Sequence, residues 1–598
     1  MRAAALLVFL AAALVCPSQQ VVQGTNPKFA EYYAPPHDTQ IEWLVEGARA
    51  EPQDREGKRI LIYEGKCQKY AETGLLELVV EAPQCLYDRL EHSLSSSGPM
   101  RVRTADAKFS LEGEGFAWMQ TNSTLYISNR VHTIIHPEML SASRTNLVQR
   151  STNGGEGITV DSAKFTYSSD TGIGRYEEQV RVTGTNLMMT SSLLTFLLPK
   201  AEKQLERITS ETNVVMEYEL DGQQIHAVGE KADYSVPTAM ARITGHPSWE
   251  SGDRAGHGDE LFIDRSNRVF QANGNAYLKM PASHFAESGL LGHTNAQTSG
   301  KSATNQFVEI ESSNYTIRTN LAVFQNDVRM RQREEDKIGG TMSCALMTVA
   351  FAGTNELQTM LAETNVVINQ EDKVFTSDTA LYTATNGLLT LNGNPGWQAG
   401  LRRGKGDQIV GELRKDQILV EGNAYMRLPA GELGEALPGG AAPEQKAKAT
   451  DTGFAEVFSQ RYTLQPEKVD FEGGVRIIHP QMTWTSKNLI AKLASKEPKQ
   501  ASMLAEQQVA FVFNDPKNGS IHGTCERAVY DYSEDASLTN SLVRLTGSPI
   551  LETTNGTFEN KIILFDRTQN KLMARGNYRL HGFAPVDTNR LQMPKKLK

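Results

Sequence analysis

The chain predicts an antiparallel all-β protein of short strands, built by repetition. Three observations predict it. Apolar and polar residues alternate with a period of two over many short stretches. Turn-forming residues interrupt that alternation at intervals of roughly ten residues. One phrase is written three times, and each copy is answered by a second phrase at a fixed distance. A fixed spacing in a chain of 598 residues marks a duplicated structural unit.

The repeat comes first because it sets the organisation. Its copies are Arg242-Ile243-Thr244-Gly245-His246-Pro247, Thr390-Leu391-Asn392-Gly393-Asn394-Pro395 and Arg544-Leu545-Thr546-Gly547-Ser548-Pro549. The answering phrases are Gly274-Asn275-Ala276-Tyr277, Gly422-Asn423-Ala424-Tyr425 and Gly576-Asn577-Tyr578, with 29 residues from Gly to Gly in every copy. Upstream stand Val180-Arg181-Val182, Val328-Arg329-Met330 and Val475-Arg476-Ile477. Glu211-Thr212-Asn213-Val214-Val215 recurs as Glu363-Thr364-Asn365-Val366-Val367. The chain therefore divides into units near 151–300, 301–450 and 451–598, after a separate N-terminal region over about 37–150. The stretches His284 to Gln306 and Gly431 to Gly453 are rich in small or polar residues. They hold the same place in successive units and read as surface loops.

Within the units, Ala276, Leu278 and Met280 alternate with Tyr277 and Lys279. Ala424, Met426 and Leu428 alternate with Tyr425 and Arg427, and Val328 and Met330 with Arg329 and Arg331. Leu125, Ile127, Val131 and Ile135 fall at even spacing. Each pattern puts apolar side chains on one sheet face. Asp264 to Arg268 and Asp566 to Lys571 read as hairpin turns between such runs. The Gly-x-Pro and Gly-Asn words suit bends that need a positive or fixed φ, and read as turn punctuation. Helical patterning is scarce. The best candidate is Pro199 to Ser210, with Leu205 and Ile208 as a thin apolar stripe.

The N-terminus carries Arg2, an apolar run from Ala3 to Val15, then Cys16-Pro17-Ser18. This predicts a secretory signal over 1–19, cut near Ser18, or else an uncleaved N-terminal anchor, although the run is short for a span of roughly 20 residues. Either way the chain is exported. Four further cysteines, Cys67, Cys85, Cys344 and Cys525, permit two disulfides or four buried free thiols; Cys67 and Cys85 flank a hairpin. A net charge of −9 argues against a nucleic-acid partner.

No catalytic constellation is found, and the expectation is a non-enzyme without cofactor or metal. His257-Gly258-Asp259-Glu260 is replaced by Lys405-Gly406-Asp407-Gln408 in the next unit, so it is not part of the repeat. His132 and His136 have no third ligand in sight. What repeats is an alternating apolar face. It reads either as the closed core of a structural or adhesive β-repeat protein, or as an apolar trough that takes acyl chains at about 0.8 kcal/mol per CH₂.

The words Ala232-Asp233-Tyr234, Ala380-Leu381-Tyr382 and Ala528-Val529-Tyr530, followed by Thr/Asn-Gly-x-Pro and a closing Gly-Asn, resemble the OstA/LptA-type repeat of lipopolysaccharide-transport proteins. Gly98 to Thr104, Leu111 to Phe116 and Leu125 to Val131 resemble the related LptC type. The resemblance implies β-jellyroll (β-taco) units stacked end to end, with unsealed edges as docking surfaces for further copies. It implies a periplasmic bridge that shields the acyl chains of lipopolysaccharide or another acylated lipid. Its partners would be an inner-membrane ABC transporter complex and an outer-membrane barrel protein. The inward residues that would meet acyl chains are Val180, Val182, Val328, Met330, Val475 and Ile477. The chain departs from a single-unit LptA in carrying about four such units in series.

Overall fold

The computed structural model describes residues 24–582 apart from 137–156, 186, 199–204, 221–222, 265, 283–305, 335–336, 353–355, 413–414, 431–452, 481, 493–498, 516–518, 536–537, 555, 567–570 and 576–578. The signal segment, the two expected loops apart from their last residues Gln306 and Gly453, and the third closing phrase at 576–578 therefore lie outside the described residues. Every named element is a strand, and every strand pairing is antiparallel. The described residues fall into two compact units. One lies within Met1–Gly252 and Asp259–Arg268, the other within Asp253–Gly258 and Val269–Lys598.

In the first unit, Arg59–Tyr70, Leu76–Asp88, Ser93–Thr104, Phe109–Met119 and Thr124–Ile135 pair each with the next. Ile173–Gly184, Leu187–Leu197, Arg207–Leu220 and Gln223–Ser235 form a second run of sequential neighbours. In the second unit, Val269–Pro281, Gln306–Arg318, Leu321–Glu334, Lys337–Ala352, Glu356–Gln370 and Lys373–Thr383 do the same. So do Gln417–Pro429, Phe454–Gln465, Lys468–His479, Met482–Lys492, Lys499–Asp515 and Gly519–Asp535.

The long strands are not straight. From Ile173–Gly184 onward the ladder skips two residues near the middle of each long strand, and on alternate strands both are left-handed, whereas Arg59–Tyr70 skips only the left-handed Glu64. In the first unit these dipeptides are Glu178-Gln179 and Thr212-Asn213. In the second they are Gly274-Asn275, Asn326-Asp327, Thr364-Asn365, Gly422-Asn423, Gly473-Gly474 and Gln507-Gln508. A bulge of this kind bends its strand. Both arms turn the same face inward: around Glu178-Gln179 the buried residues are Tyr176 on one side and Val180 and Val182 on the other. Each long strand is thus creased, with the dipeptide outside and the core between the arms.

This corrects the reading of Gly-Asn as punctuation between strands. Gly274-Asn275 and Gly422-Asn423 sit inside the continuous strands Val269–Pro281 and Gln417–Pro429. The Gly-x-Pro words do lie between strands, but in the same geometry. Gly245-His246, Gly393-Asn394 and Gly547-Ser548 are also left-handed pairs, followed by a buried proline. The strands on either side of each word pair with one common neighbour; Leu388–Asn392 and Gly396–Ala399 both pair with Lys373–Thr383. The two phrases of the repeat are therefore two forms of one crease.

The helix expected over Pro199 to Ser210 is not formed where it is described. Arg207–Leu220 is a strand, with Phe196 opposite Ile208 and Thr195 opposite Thr209. Two β-branched residues and a neighbouring strand override a thin stripe of spacing three. Residues 199–204 lie outside the described residues. The hairpin at Asp264 is present, its carboxylate accepting hydrogen bonds from the Asn267 amide N–H at 2.9 Å and side-chain Nδ2 at 2.8 Å. The strands flanking the expected turn after Asp566 pair as a hairpin.

The core of the first unit centres on Trp43 and Trp118, edge to face at 4.6 Å, and on Phe165, Tyr176 and Phe196. In the second, Tyr315, Phe324, Tyr382, Tyr462, Trp484 and Tyr530 are fully buried. The Trp397 indole N–H donates to the Tyr462 hydroxyl at 2.7 Å, which meets the need of two buried polar groups at once.

The crease glycines make a sharp test. A Cβ on Gly245 would overlap the Glu230 side chain, and one on Gly393 would lie 2.5 Å from Asp378 Cβ, at φ of +79° and +76°. Gly400 is also left-handed but has nothing within 4 Å. Denaturant titration is expected to show Gly245→Ala and Gly393→Ala losing about 2–3 kcal/mol, and Gly400→Ala only about 1 kcal/mol.

Candidate functional site

The floor of the crease is a two-residue motif. The residue after each left-handed dipeptide is a small apolar one, and across the ladder it faces Ser, Cys or Gly. The pairs in the first unit are Val180 with Ser191 and Val214 with Gly229. In the second they are Ala276 with Ser312, Val328 with Cys344, Val366 with Ser377, Ala424 with Ser459, Val475 with Ser486 and Val509 with Cys525. Where strands bend inward, only small side chains fit opposite one another. Three of the serines serve the interrupted ladder: Ser191, Ser312 and Ser459 each donate a hydrogen bond to the carbonyl two residues on, at 3.1, 2.9 and 3.0 Å, whereas the Ser377 and Ser486 hydroxyls are buried without a partner among the described residues.

The six residues proposed from sequence for acyl contact all face inward. Val180, Val328 and Val475 form part of the floor, and Val182, Met330 and Ile477 stand two residues further along the same arm. Their exposures run from 0 to 5 %, so each lies in packed interior. A void lined by Trp397, Met426, Leu428, Phe471 and Ala491 in the second unit measures about 10 Å³, room for about one water molecule. Sequence reasoning placed Ala276 and Ala424 on the apolar face but missed the remaining floor residues, Val214, Val366 and Val509. The signal for them is the pair of non-apolar residues before a Val or Ala, which hides in Thr-Asn-Val and Gln-Gln-Val because no glycine marks it.

The disulfides permitted by sequence are not present. Cys67, Cys85, Cys344 and Cys525 are free and buried. Cys67 faces Val80 and Cys85 faces Ile62, so the flanked hairpin does not set the two opposite each other. Cys344 and Cys525 instead fill the floor position that serine holds elsewhere. Burial pushes the Cys344 thiol up to about 11, against backbone hydrogen bonds at Glu363 and Leu346. It pushes Cys525 and Cys85 up to about 12. Cys67 is raised as well, by burial and then by Cys85.

The histidines noted in sequence lie on the outer surface. His132 Nδ1 meets the Asp161 carboxylate at 2.7 Å across a strand pair, both about half exposed. The His257 ring stacks on Tyr277 at 4.8 Å. Among the described residues no group of three or more His, Cys, Asp or Glu side chains is placed to hold a metal ion.

Creased antiparallel strands over a packed apolar floor recur in both units. Residues 159–269 match the family model described as LptA/(LptD N-terminal domain) LPS transport protein. The chain is OstA/LptA-like over this stretch. Among solved structures it is similar to LptH, the LptA-homologous periplasmic component of the lipopolysaccharide transport device of Pseudomonas aeruginosa. That likeness has 18 % identity, covers 20 % of this chain and 82 % of the other, and has a TM-score of 0.18. The comparison with curated proteins gives no match.

The thiols can be tested directly. In the folded protein all four should resist alkylation, and all four should react once it is denatured. Their folded values lie above the ordinary thiol value of 9.0. The stabilisation is then complete below about pH 9 and lost as pH rises toward 11 to 12, which an alkaline titration of unfolding would show. Cys344→Ser should cost less than about 1 kcal/mol, because serine already serves that position in neighbouring creases.

Proposed function

We propose that the protein is a non-enzymatic periplasmic bridge component that shields the acyl chains of lipopolysaccharide, or a similar amphiphile, on the way to the outer membrane. One observation carries this reading. The stretch that matches the LptA/LptD family model, 159–269, contains three creases of the first unit, at 178–179, 212–213 and 245–246, and the same crease recurs eight times in the second unit between 274 and 548. The repetition multiplies, within each unit, the apolar floor found in the matched stretch. The N-terminal strands are assigned the LptC-like role, and the membrane partners are an ABC transporter complex on one side and a barrel protein on the other.

The packed interior favours a second reading, a structural β-repeat protein with a closed core. The two differ in what happens when the arms separate. A twelve-carbon chain gains roughly 10 kcal/mol on burial at about 0.8 kcal/mol per CH₂. That sum can offset parting the arms locally, because the acyl chain fills the space between them and packs against both. In the closed reading nothing fills that space.

A photoreactive p-benzoylphenylalanine at Met330 or Ile477 distinguishes them. In cells, both positions should cross-link to lipopolysaccharide, and the outward Arg329 position should not. Equal or absent labelling at all three, with the protein exported and folded, would reject the bridge.

A further inference from the structure

Several exposed cations on this protein are paired with carboxylates across the strands. Arg101 meets Glu112, Arg103 meets Glu81, Lys164 meets Glu178, Lys231 meets Glu211, Arg333 meets Glu309, and Arg527 meets Glu506. One outer face of the second unit instead gathers cations among aromatic rings. On Arg402–Lys405, Gln417–Pro429, Phe454–Gln465 and Lys468–His479, one row across the ladder reads Lys405, Tyr425, Phe458, Arg476. The next reads Arg403, Arg427, Glu456. Among the described residues none of these four cations has a carboxylate partner. Lys405 lies over the Tyr425 ring at 5.4 Å, Arg427 over Phe454 at 3.7 Å, and Glu456 accepts from the Tyr425 hydroxyl at 2.7 Å.

Two features make this more than a charged surface. Arg403 and Arg427 stand directly opposite each other, and like charges in that position destabilise a sheet. Phe458, 37 % exposed, packs on Tyr425 at 5.2 Å and offers a ring to solvent between the cations. A chain of net charge −9 here keeps four cations against one carboxylate. The repulsion is relieved when an anion sits between the two arginines, since guanidinium groups bind phosphate by paired hydrogen bonds. Flat rings beside a phosphate site suit the apolar face of a sugar.

We propose that this face binds a phosphorylated saccharide head group: Arg403 and Arg427 hold the phosphate, Lys405 and Arg476 flank it, and Phe458 and Tyr425 stack on the sugar. The choice of ligand rests on the proposed function, which supplies a glycolipid, but binding here is independent of the apolar interior.

The probe is the water-soluble phosphorylated oligosaccharide released from lipopolysaccharide by mild acid, which has no acyl chains. Titration calorimetry on the full chain should show binding that weakens with salt and is lost when the sugar is dephosphorylated. Arg427→Gln should weaken it at least tenfold while leaving the ligand-free melting temperature unchanged or higher, because a repulsion has been removed. Phe458→Ala should weaken it several-fold with little change in salt dependence. The proposal is overturned if Arg427→Gln binds as tightly as the parent, or if the oligosaccharide does not bind. It is also overturned if sugar-free phosphatidylglycerol vesicles bind as tightly, which would make this a membrane-facing surface. Interior cross-linking with no oligosaccharide binding would sink this site and leave the bridge standing. The reverse would sink the bridge alone.

Discussion

The left-handed dipeptide in mid-strand is the constraint on which the structure depends. Two consecutive residues with positive φ cost about 1–2 kcal/mol each when they are not glycine. The chain accepts this at Glu178-Gln179, Thr212-Asn213, Asn326-Asp327, Thr364-Asn365 and Gln507-Gln508. The return is that both arms of a long strand bury the same face. Without the bend, a thirteen-residue strand such as Gln417–Pro429 would extend far past any core that one flat sheet face can cover. With it, Val420 on one arm and Ala424, Met426 and Leu428 on the other are all buried within one unit.

Everything at the floor follows from that bend. The inward residue after the dipeptide must be Val or Ala, and its partner across the ladder must be Ser, Cys or Gly, because strand backbones approach closely there. At Ser191, Ser312 and Ser459 the hydroxyl then returns a hydrogen bond that the interrupted ladder gave up. Cys344 and Cys525 satisfy the size requirement of the same position and stay as buried thiols.

Much of this was legible in the sequence. The alternation at Ala276, Leu278 and Met280 marked the buried face, and the Asp264 turn was visible from its polar run between apolar segments. The threefold glycine words located three creases and their answering phrases. The meaning of those words was less visible. Glycine and asparagine next to alternating residues look like the end of a strand, and only the continuous pairing of Val269–Pro281 shows that the strand goes on. The creases at Thr212-Asn213 and Gln507-Gln508 carry no glycine, so propensity hides them; tertiary packing holds them in a backbone region that threonine and glutamine do not favour. The stripe at Leu205 and Ile208 misled for the converse reason, since three-residue spacing of two apolar side chains does not outweigh a neighbouring strand. The cation–aromatic face was invisible because register alone sets Arg403 against Arg427.

The central claim is that the creased interior opens to acyl chains. Native mass spectrometry of the full chain, purified without detergent exchange and followed by organic extraction, tests it most directly. The expected result is a co-purifying amphiphile with several acyl chains, displaced when Met330 or Ile477 is replaced by a bulkier apolar residue. Protein that is lipid-free in every preparation, at the mass of the polypeptide alone, would contradict it and leave the closed core as the better description.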